Sequence, residues 1–232
     1  MLIPVLALGG ALVTVVIGFV MVFVMTAWFG EPLPVFGFGE GPEQPVAFPH
    51  TVHAGTDVLR DAQGNVRQDD QGDDMHGLGL DCTFCHRTVT TGASAGVPPV
   101  EVCATCHRVI GSSGNDALQN LRDMAGISEG AEGGPIKWRR VHRLPDHVQF
   151  VHEPHVRFLT ANPGEIANRD EQAIAEDVGD DGMVKPALVC STCHGDVKSM
   201  EKVKQVEPLK MGQCVDCHRQ NRAPTTCDTC HF

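Results

Sequence analysis

The first 30 residues form one long apolar run, and no later part of the chain resembles it. The stretch MLIPVLALGGALVTVVIGFVMVFVMTAWFG contains no Asp, Glu, Lys, Arg or His. At about 1.5 Å per residue, a helix of this length spans a bilayer, and the run is longer than the apolar core of a signal peptide. The pattern therefore predicts a transmembrane helix over residues 3–28, within an anchor domain 1–30. A signal peptide that is removed is the alternative.

The polar and apolar pattern changes after residue 30. Residues 31–45 are rich in Gly and Pro, which predicts a linker. In the remaining domain, 46–232, there is no tyrosine and little alternation of β-branched and polar residues, so strands are not indicated. The prediction is a mainly α fold with extensive loops, preceded by the single transmembrane helix.

Cysteines and histidines carry the strongest chemical signal. All ten cysteines fall in five CxxC pairs, and a histidine follows each pair at once. We call these the first to fifth motifs, in chain order. They are Cys82-Thr-Phe-Cys85-His86, Cys103-Ala-Thr-Cys106-His107, Cys190-Ser-Thr-Cys193-His194, Cys214-Val-Asp-Cys217-His218 and Cys227-Asp-Thr-Cys230-His231.

The CxxCH pattern is the signature of covalent c-type haem attachment. Each thiol adds to one haem vinyl group, and the next histidine ligates the iron axially. A zinc ribbon uses two CxxC pairs per metal and asks for no histidine directly after each, and a disulfide framework asks for none either. The sequence therefore predicts five covalently bound haem c groups, which would themselves form the core of a domain too thin to build an apolar one.

Seven histidines lie outside the motifs, and four of them form two matched pairs. FPHTVH contains His50 and His53, and FVHEPH contains His152 and His155. Histidines three residues apart share one side of a helical turn, so each pair is predicted to give sixth ligands to two neighbouring haems. Five haems need five sixth ligands, and the two pairs supply only four, so one more ligand is needed. His142 and His147 are the nearest candidates.

Three further residues are candidates for the same role. His76 lies in an acidic loop and is predicted to be solvent-exposed. Met200 and Met211 are alternatives as iron ligands, although apolar packing is the more common use of methionine.

The chain is acidic, with a formal net charge of −11. Nucleic acid is therefore an unsuitable partner, whereas a basic protein suits the charge. Acidic residues concentrate in two loops, 57–74 and 165–181. Such loops are typical of a solvated surface, and a docking edge for a positively charged carrier or subunit is the alternative.

Taken together, these residues resemble the pentahaem cytochrome subunit of alternative complex III, a member of the class III multihaem cytochromes. The resemblance covers most of residues 46–219. It rests on an ordered set of stretches, namely FPHTVHAG, LGLDCTFCH, AGVPPVEVCATCH, KWRRVHRLPDHVQFVHEPHV, VCSTCHGDVKSM and LKMGQCVDCHR. The related subunit of the quinone reductase complex Qrc shares much of this set but carries one more haem.

The resemblance implies a set of iron ligands. The family's recurrent histidines fall on His142, His152 and His155, and the leading pair falls on His50 and His53. The resemblance therefore implies that His142 is the one remaining sixth ligand and that His147 lies beside the site or at the surface. Residues 56–77 and 162–186 are insertions relative to the family. The first contains the acidic loop 57–74, and the second contains the acidic loop 165–181.

The resemblance also implies a role. The chain would relay electrons from the iron–sulfur subunit of a menaquinol-oxidising complex to a monohaem cytochrome subunit, a periplasmic cytochrome or copper carrier, or a terminal oxidase. Molybdopterin-like and polytopic membrane subunits would be its partners. The chain would not be an enzyme on its own, because no residue pattern for acid–base or nucleophilic catalysis is present. The expected location is the bacterial inner membrane, with a cytoplasmic amino terminus and a periplasmic haem domain.

A membrane quinol dehydrogenase of the NapC/NirT type is the alternative. Such proteins usually have four haems and place the first CxxCH close to the anchor. Here Cys82 lies more than 50 residues beyond the apolar run.

Overall fold

The computed structural model describes residues 2–29, 41–61, 63–111, 114–166, 183–207 and 209–232, and within the first helix it describes the side chains of 9–25. The chain divides into two compact units, Met1–Glu40 and Gly41–Phe232. The predicted linker 31–45 lies outside the described residues as far as residue 40. Most of the acidic loop 165–181 also lies outside them.

Helix α1 spans Leu2–Phe29 and contains 28 residues. Its described side chains are exposed, and large apolar ones such as Phe19 and Val15 are 72% and 67% accessible. Within the described part of the chain, no helix is both long enough and apolar enough to cross a membrane. The predicted transmembrane span therefore has no support from the described residues.

The second unit is built from short helices joined by loops. They are α2 (His50–His53), α3 (Cys82–Cys85), α4 (Val100–His107), α5 (Asp116–Met124), α6 (His152–Ala161), α7 (Pro186–His194), α8 (Met211–Gln220) and α9 (Cys227–Cys230). Single 3₁₀ turns lie at Arg87–Thr90, Pro163–Glu165 and Val197–Ser199. In the described ranges, β pairing is limited to isolated bridges. The prediction of a mainly α fold with extensive loops is confirmed.

Local sequence explains where several of these helices begin and end. The side chain of Asn115 accepts hydrogen bonds from the backbone N–H groups of Ala117 and Leu118, which caps α5. Asp81 caps α3 in the same way through Thr83. Helix α7 begins with Pro186 in its first turn, where the missing N–H is not needed. It ends at Gly195, whose φ of 70° favours glycine.

The apolar core of this unit is small. One buried cluster consists of Ile166, Val184, Leu188 and Val189, the last two in α7, and Val156 and Leu159 of α6 pack against it. A second cluster joins α4 and α5 through Val46, Val100 and Leu121. Among the described residues, no large side chain is completely buried. These two clusters are therefore small, and neither covers the five motifs and their neighbouring histidines.

The first acidic loop has more order than its composition suggests. The backbone N–H of Leu59 donates to Met75 O, that of Arg67 to Leu59 O, and that of Met75 to Arg67 O. Asp61 and Asp69, which are eight residues apart along the chain, each close a turn. The side chain of each accepts hydrogen bonds from two backbone N–H groups. Side-chain hydrogen bonding of this kind stabilises turns. The loop is a coiled double turn with exposed aspartates.

Candidate functional site

The five CxxCH motifs all lie on helical turns. The first and fifth motifs form the one-turn helices α3 and α9, and the other three lie in α4, α7 and α8. Residues three apart on a helix share one face, so both cysteines of a motif point to the same side. All ten cysteines are free thiols in the structure. Each motif therefore presents two thiols and a histidine to one region, as haem attachment requires.

The two FxHxxH segments adopt the same local geometry. Phe48 stacks on His53 with ring centres 4.2 Å apart, and it meets His50 edge-on at 5.0 Å. Phe150 stacks on His155 at 4.5 Å and meets His152 edge-on at 4.8 Å. The repeat in sequence is thus a repeat in structure. A phenylalanine in each copy fixes the orientation of two imidazoles.

Backbone carbonyls determine which nitrogen of these rings carries the proton. Nδ1–H of His53 donates to Pro49 O at 3.0 Å, and that of His155 donates to Val151 O at 2.7 Å. A carbonyl only accepts, so Nδ1 is protonated and the lone pair is on Nε2. The same type of bond holds the motif histidines His86, His107, His218 and His231, and also His152. Histidines that ligate metals are oriented in this way.

Burial favours the neutral form of several of these rings. It is the main cause that lowers the pKa of His53 and His155, against the opposing effect of their Nδ1 hydrogen bonds. Burial also lowers the pKa of His142. A neutral imidazole with a free Nε2 is the form that binds a metal.

Motif histidines lie opposite the additional histidines. The ring centres of His53 and His107 are 6.1 Å apart, those of His155 and His218 are 5.8 Å apart, and those of His152 and His194 are 6.4 Å apart. Metal–imidazole bonds of about 2 Å on both sides of one ion place the ring centres roughly 6 Å apart. The three pairs therefore fit an iron between each two rings.

The first motif has its own partner. The backbone N–H of Leu80, two residues before Cys82, donates to His53 O at 2.8 Å, which brings the first motif next to α2. Burial, followed by His86 and His53, lowers the pKa of His50 from 6.5 to about 4. Its Nδ1 is buried and has no hydrogen-bond partner among the described atoms.

His147 occupies the position opposite the fifth motif. The planes of its ring and of the His231 ring are 13° apart, and the ring centres are 5.5 Å apart. Val148 forms an antiparallel bridge with His231, and the backbone N–H of Gln149 donates to Cys230 O at 2.9 Å. The sequence predicted His142 as the one remaining sixth ligand, without assigning it to a motif, and placed His147 beside the site or at the surface. The two segments are 84 residues apart, and no local pattern indicates that they meet.

His142 lies beside the third motif instead. Its ring centre is 4.3 Å from that of His194, which is too short for a metal between the rings. Nε2 of His142 is buried and lacks a hydrogen-bond partner within the described part of the chain. His194 thus has two histidine neighbours, of which His152 has the spacing for a shared iron. Burial, followed by these neighbours and His86, lowers the pKa of His194 to about 4.

The remaining candidates lie at the surface. His76 is exposed in the first acidic loop, and its Nδ1–H donates to Thr56 O at 3.3 Å. Met211 is 68% exposed at the start of α8.

The described residues contain no place where three His, Cys, Asp or Glu side chains converge on a metal. A haem iron already has four porphyrin ligands and needs only two from the protein, which the histidine pairs offer. The chain matches no protein-family model. It also matches no curated protein sequence.

Proposed function

We propose that residues 46–232 are a pentahaem c-type cytochrome domain. The proposal is carried by one observation, that each of the five motif histidines has a second histidine beside it. The five motifs supply ten thiols for thioether bonds. The Nδ1 hydrogen bonds leave Nε2 available in both rings of two pairs, His53 with His107 and His155 with His218, and also in His152. When bound, haem supplies one-electron oxidation and reduction.

The residues around such haems favour electron transfer over catalysis. With an imidazole on each side of the iron, no position remains open for a substrate. Backbone carbonyls and the rings of Phe48 and Phe150 hold the imidazoles in place, so a change of charge moves them little. The chain would therefore relay electrons and would not be an enzyme on its own.

We also propose that α1 anchors the domain to the bacterial inner membrane, with the haem domain in the periplasm. Support comes from the sequence alone, in which the first 30 residues are largely apolar and carry no charge. A chain in which a cleavable signal peptide replaces residues 1–40, so that export is kept, tests this. It should leave the membrane fraction and keep its haem, whereas a truncated chain that stays in the membrane would contradict the anchor.

The wider role rests on the resemblance over residues 46–219. The chain would receive electrons from the iron–sulfur subunit of a menaquinol-oxidising alternative complex III. It would pass them to a monohaem cytochrome, a periplasmic cytochrome or copper carrier, or a terminal oxidase. A single helix is too little to form a quinol pocket alone, so quinol oxidation is assigned to the polytopic membrane subunits.

Affinity purification from detergent-solubilised membranes, with this chain as bait, tests the proposal at two levels. The intact mass should exceed that of the polypeptide by five haems, and mass spectrometry should find an iron–sulfur subunit with polytopic subunits. Five haems with only a soluble reductase as partner would favour the NapC/NirT-type alternative. A chain without covalent haem would overturn the proposed function as a whole.

A further inference from the structure

Phe48 and Phe150 each impose two different orientations on the histidines beside them. The ring of Phe48 is nearly parallel to that of His53, with planes 21° apart, and nearly perpendicular to that of His50, with planes 85° apart. The ring of Phe150 has the same relation to its own pair, at 28° from the second histidine, His155, and 87° from the first. Both arrangements are favourable for aromatic rings. The second histidine of each pair therefore lies flat against a phenylalanine.

A hydrogen bond holds each of these stacked rings at its edge. Nδ1–H of His53 donates to Pro49 O at 3.0 Å, and Nδ1–H of His155 donates to Val151 O at 2.7 Å. The bond at the edge and the aromatic ring against the face together restrict rotation about the Cβ–Cγ bond. The plane of the stacked histidine is thus determined within the FxHxxH segment.

The angle between facing imidazoles differs between stacked and unstacked histidines. The stacked rings are inclined to the motif histidines that they face, by 65° at the second motif and by 42° at the fourth. In the part of the chain that the structure describes, no phenylalanine stacks on His152 or His147. Their planes are within 6° of the motif histidine at the third motif and within 13° at the fifth. The four pairs are therefore two inclined pairs and two nearly parallel ones.

Hydrogen bonding of the motif histidines does not distinguish the two kinds of pair. In an inclined pair, Nδ1–H of His107 donates to Ile110 O at 3.2 Å. In a nearly parallel pair, Nδ1–H of His231 donates to His147 O, also at 3.2 Å. The feature that differs is the phenylalanine on the opposite ring.

The angle between two axial imidazoles changes the energy of the iron that they bind. The filled π orbital of an imidazole is normal to its ring and raises the iron d orbital with which it overlaps. Two parallel rings raise the same d orbital, whereas two inclined rings share their effect between two. Low-spin ferric iron has one vacancy in these orbitals and is stabilised when they split, but ferrous iron has them filled and is not. Inclined rings therefore favour the ferrous state and raise the midpoint potential.

We propose that Phe48 and Phe150 are positioning residues for electron transfer. By stacking on His53 and His155, they hold the imidazoles at the second and fourth motifs inclined to each other. They thereby raise the midpoint potentials of these two haems above those that parallel rings would give. The inference rests on the proposed function, because it needs an iron between each two rings. Each phenylalanine acts through the histidine that it covers.

Electron paramagnetic resonance during a redox titration of the full-length, haem-loaded protein tests the proposal. Splitting of the d orbitals determines the g values of a low-spin ferric haem. The third and fifth motifs should give rhombic signals, and the second and fourth should give signals with a larger highest g value. The difference should be greatest at the second motif, where the rings are most inclined. Rhombic signals from all five haems would overturn the inference.

Phe48→Leu keeps apolar bulk and removes the flat ring face. It should convert one signal of larger highest g value to a rhombic one and lower the midpoint potential of the same haem, with five low-spin haems retained. Phe150→Leu should do the same for a second signal. Phe48→Tyr keeps the ring face and should keep the signal. Phe158→Leu is the matched control, because Phe158 lies on α6 with His155 but stacks on no histidine among the described residues.

Unchanged spectra in Phe48→Leu and Phe150→Leu would overturn the inference. A high-spin haem in either variant would also overturn it, because the phenylalanine would then keep the ligand on the iron instead of setting its plane. If the variants fail to mature, the signals of the unsubstituted protein decide the question. A protein without covalent haem would remove the proposed function and the inference together, whereas five low-spin haems of one spectral class would remove only the inference.

Discussion

The imidazole rings of His152 and His194 are nearly parallel, with planes 6° apart and centres 6.4 Å apart. His194 ends α7 and His152 begins α6, and these two helices share the apolar cluster around Leu188 and Val189. The packing of two short helices therefore determines the geometry of a histidine pair. The same ring of His194 also lies against His142, so substitutions can separate the roles of the two neighbours.

We expect His152→Ala to open the axial position at the third motif. Since His152 has the spacing for a shared iron and His142 does not, the variant should convert one low-spin ferric haem to high spin. Electron paramagnetic resonance of the oxidised protein measures the change. His142→Ala is the matched control and should keep all haems low-spin. The reverse result would assign His142 as the ligand at the third motif.

His147→Ala should have the corresponding effect at the fifth motif. The ring of His147 is nearly parallel to that of His231, with planes 13° apart. No other predicted ligand is described beside His231. We expect one haem to become high-spin while the haem count stays at five. His76→Ala, in the exposed loop, is the control and should leave the spectrum unchanged. A low-spin spectrum in His147→Ala would show that another residue serves the fifth motif.

The apolar cluster beneath the third motif should contribute measurably to stability. Leu188 is 5% exposed, and its truncation to alanine should lower the free energy of unfolding by about 2–4 kcal/mol through lost burial and a cavity. Val109 is 84% exposed, so Val109→Ala should change it by less than about 0.5 kcal/mol. Denaturant unfolding of both variants measures the difference. Equal midpoints would mean that the cluster is not a core of this domain.

Stability should fall when the pH is lowered from 7 to 5. The pKa values of His50 and His194 are lowered from 6.5 to about 4, mainly by burial, so the unfolded chain binds more protons in this interval. Their contribution is complete above about pH 6.5 and is lost as the pH falls towards 4. The free energy of unfolding lost between pH 7 and pH 5 should be roughly 1–2 kcal/mol for each histidine. Iron bound at Nε2 excludes the proton as burial does, so the direction is the same in the haem-loaded protein.

Carboxylates with lowered pKa values do not contribute to the stability change between pH 7 and pH 5. Hydrogen bonds from Asn65 and Ser128 hold the pKa values of Asp61 and Asp123 below 3.8, so these groups contribute to acid unfolding only at lower pH. A denaturant midpoint measured at pH 7 and pH 5 therefore reports mainly on histidines. An unchanged midpoint would contradict the burial of His50 and His194.

Short-range features were determined by the sequence itself. A CxxCH motif needs only one helical turn to place two thiols and a histidine together, and FxHxxH needs only one turn to orient two imidazoles against a phenylalanine. The caps at Asp81 and Asn115 and the stop at Gly195 are likewise local. For this reason the mainly α character and both histidine pairs could be predicted without coordinates.

Only the tertiary structure decided which segments meet. His53 reaches His107, and His147 reaches His231, across loops whose length says nothing about their ends. The packing of α3, α6 and α7 determines which motifs lie beside His142 and His147, and it brings α3 against α7. Local periodicity determines the face on which a side chain lies, but contacts between distant segments are determined by the packing of all the elements at once.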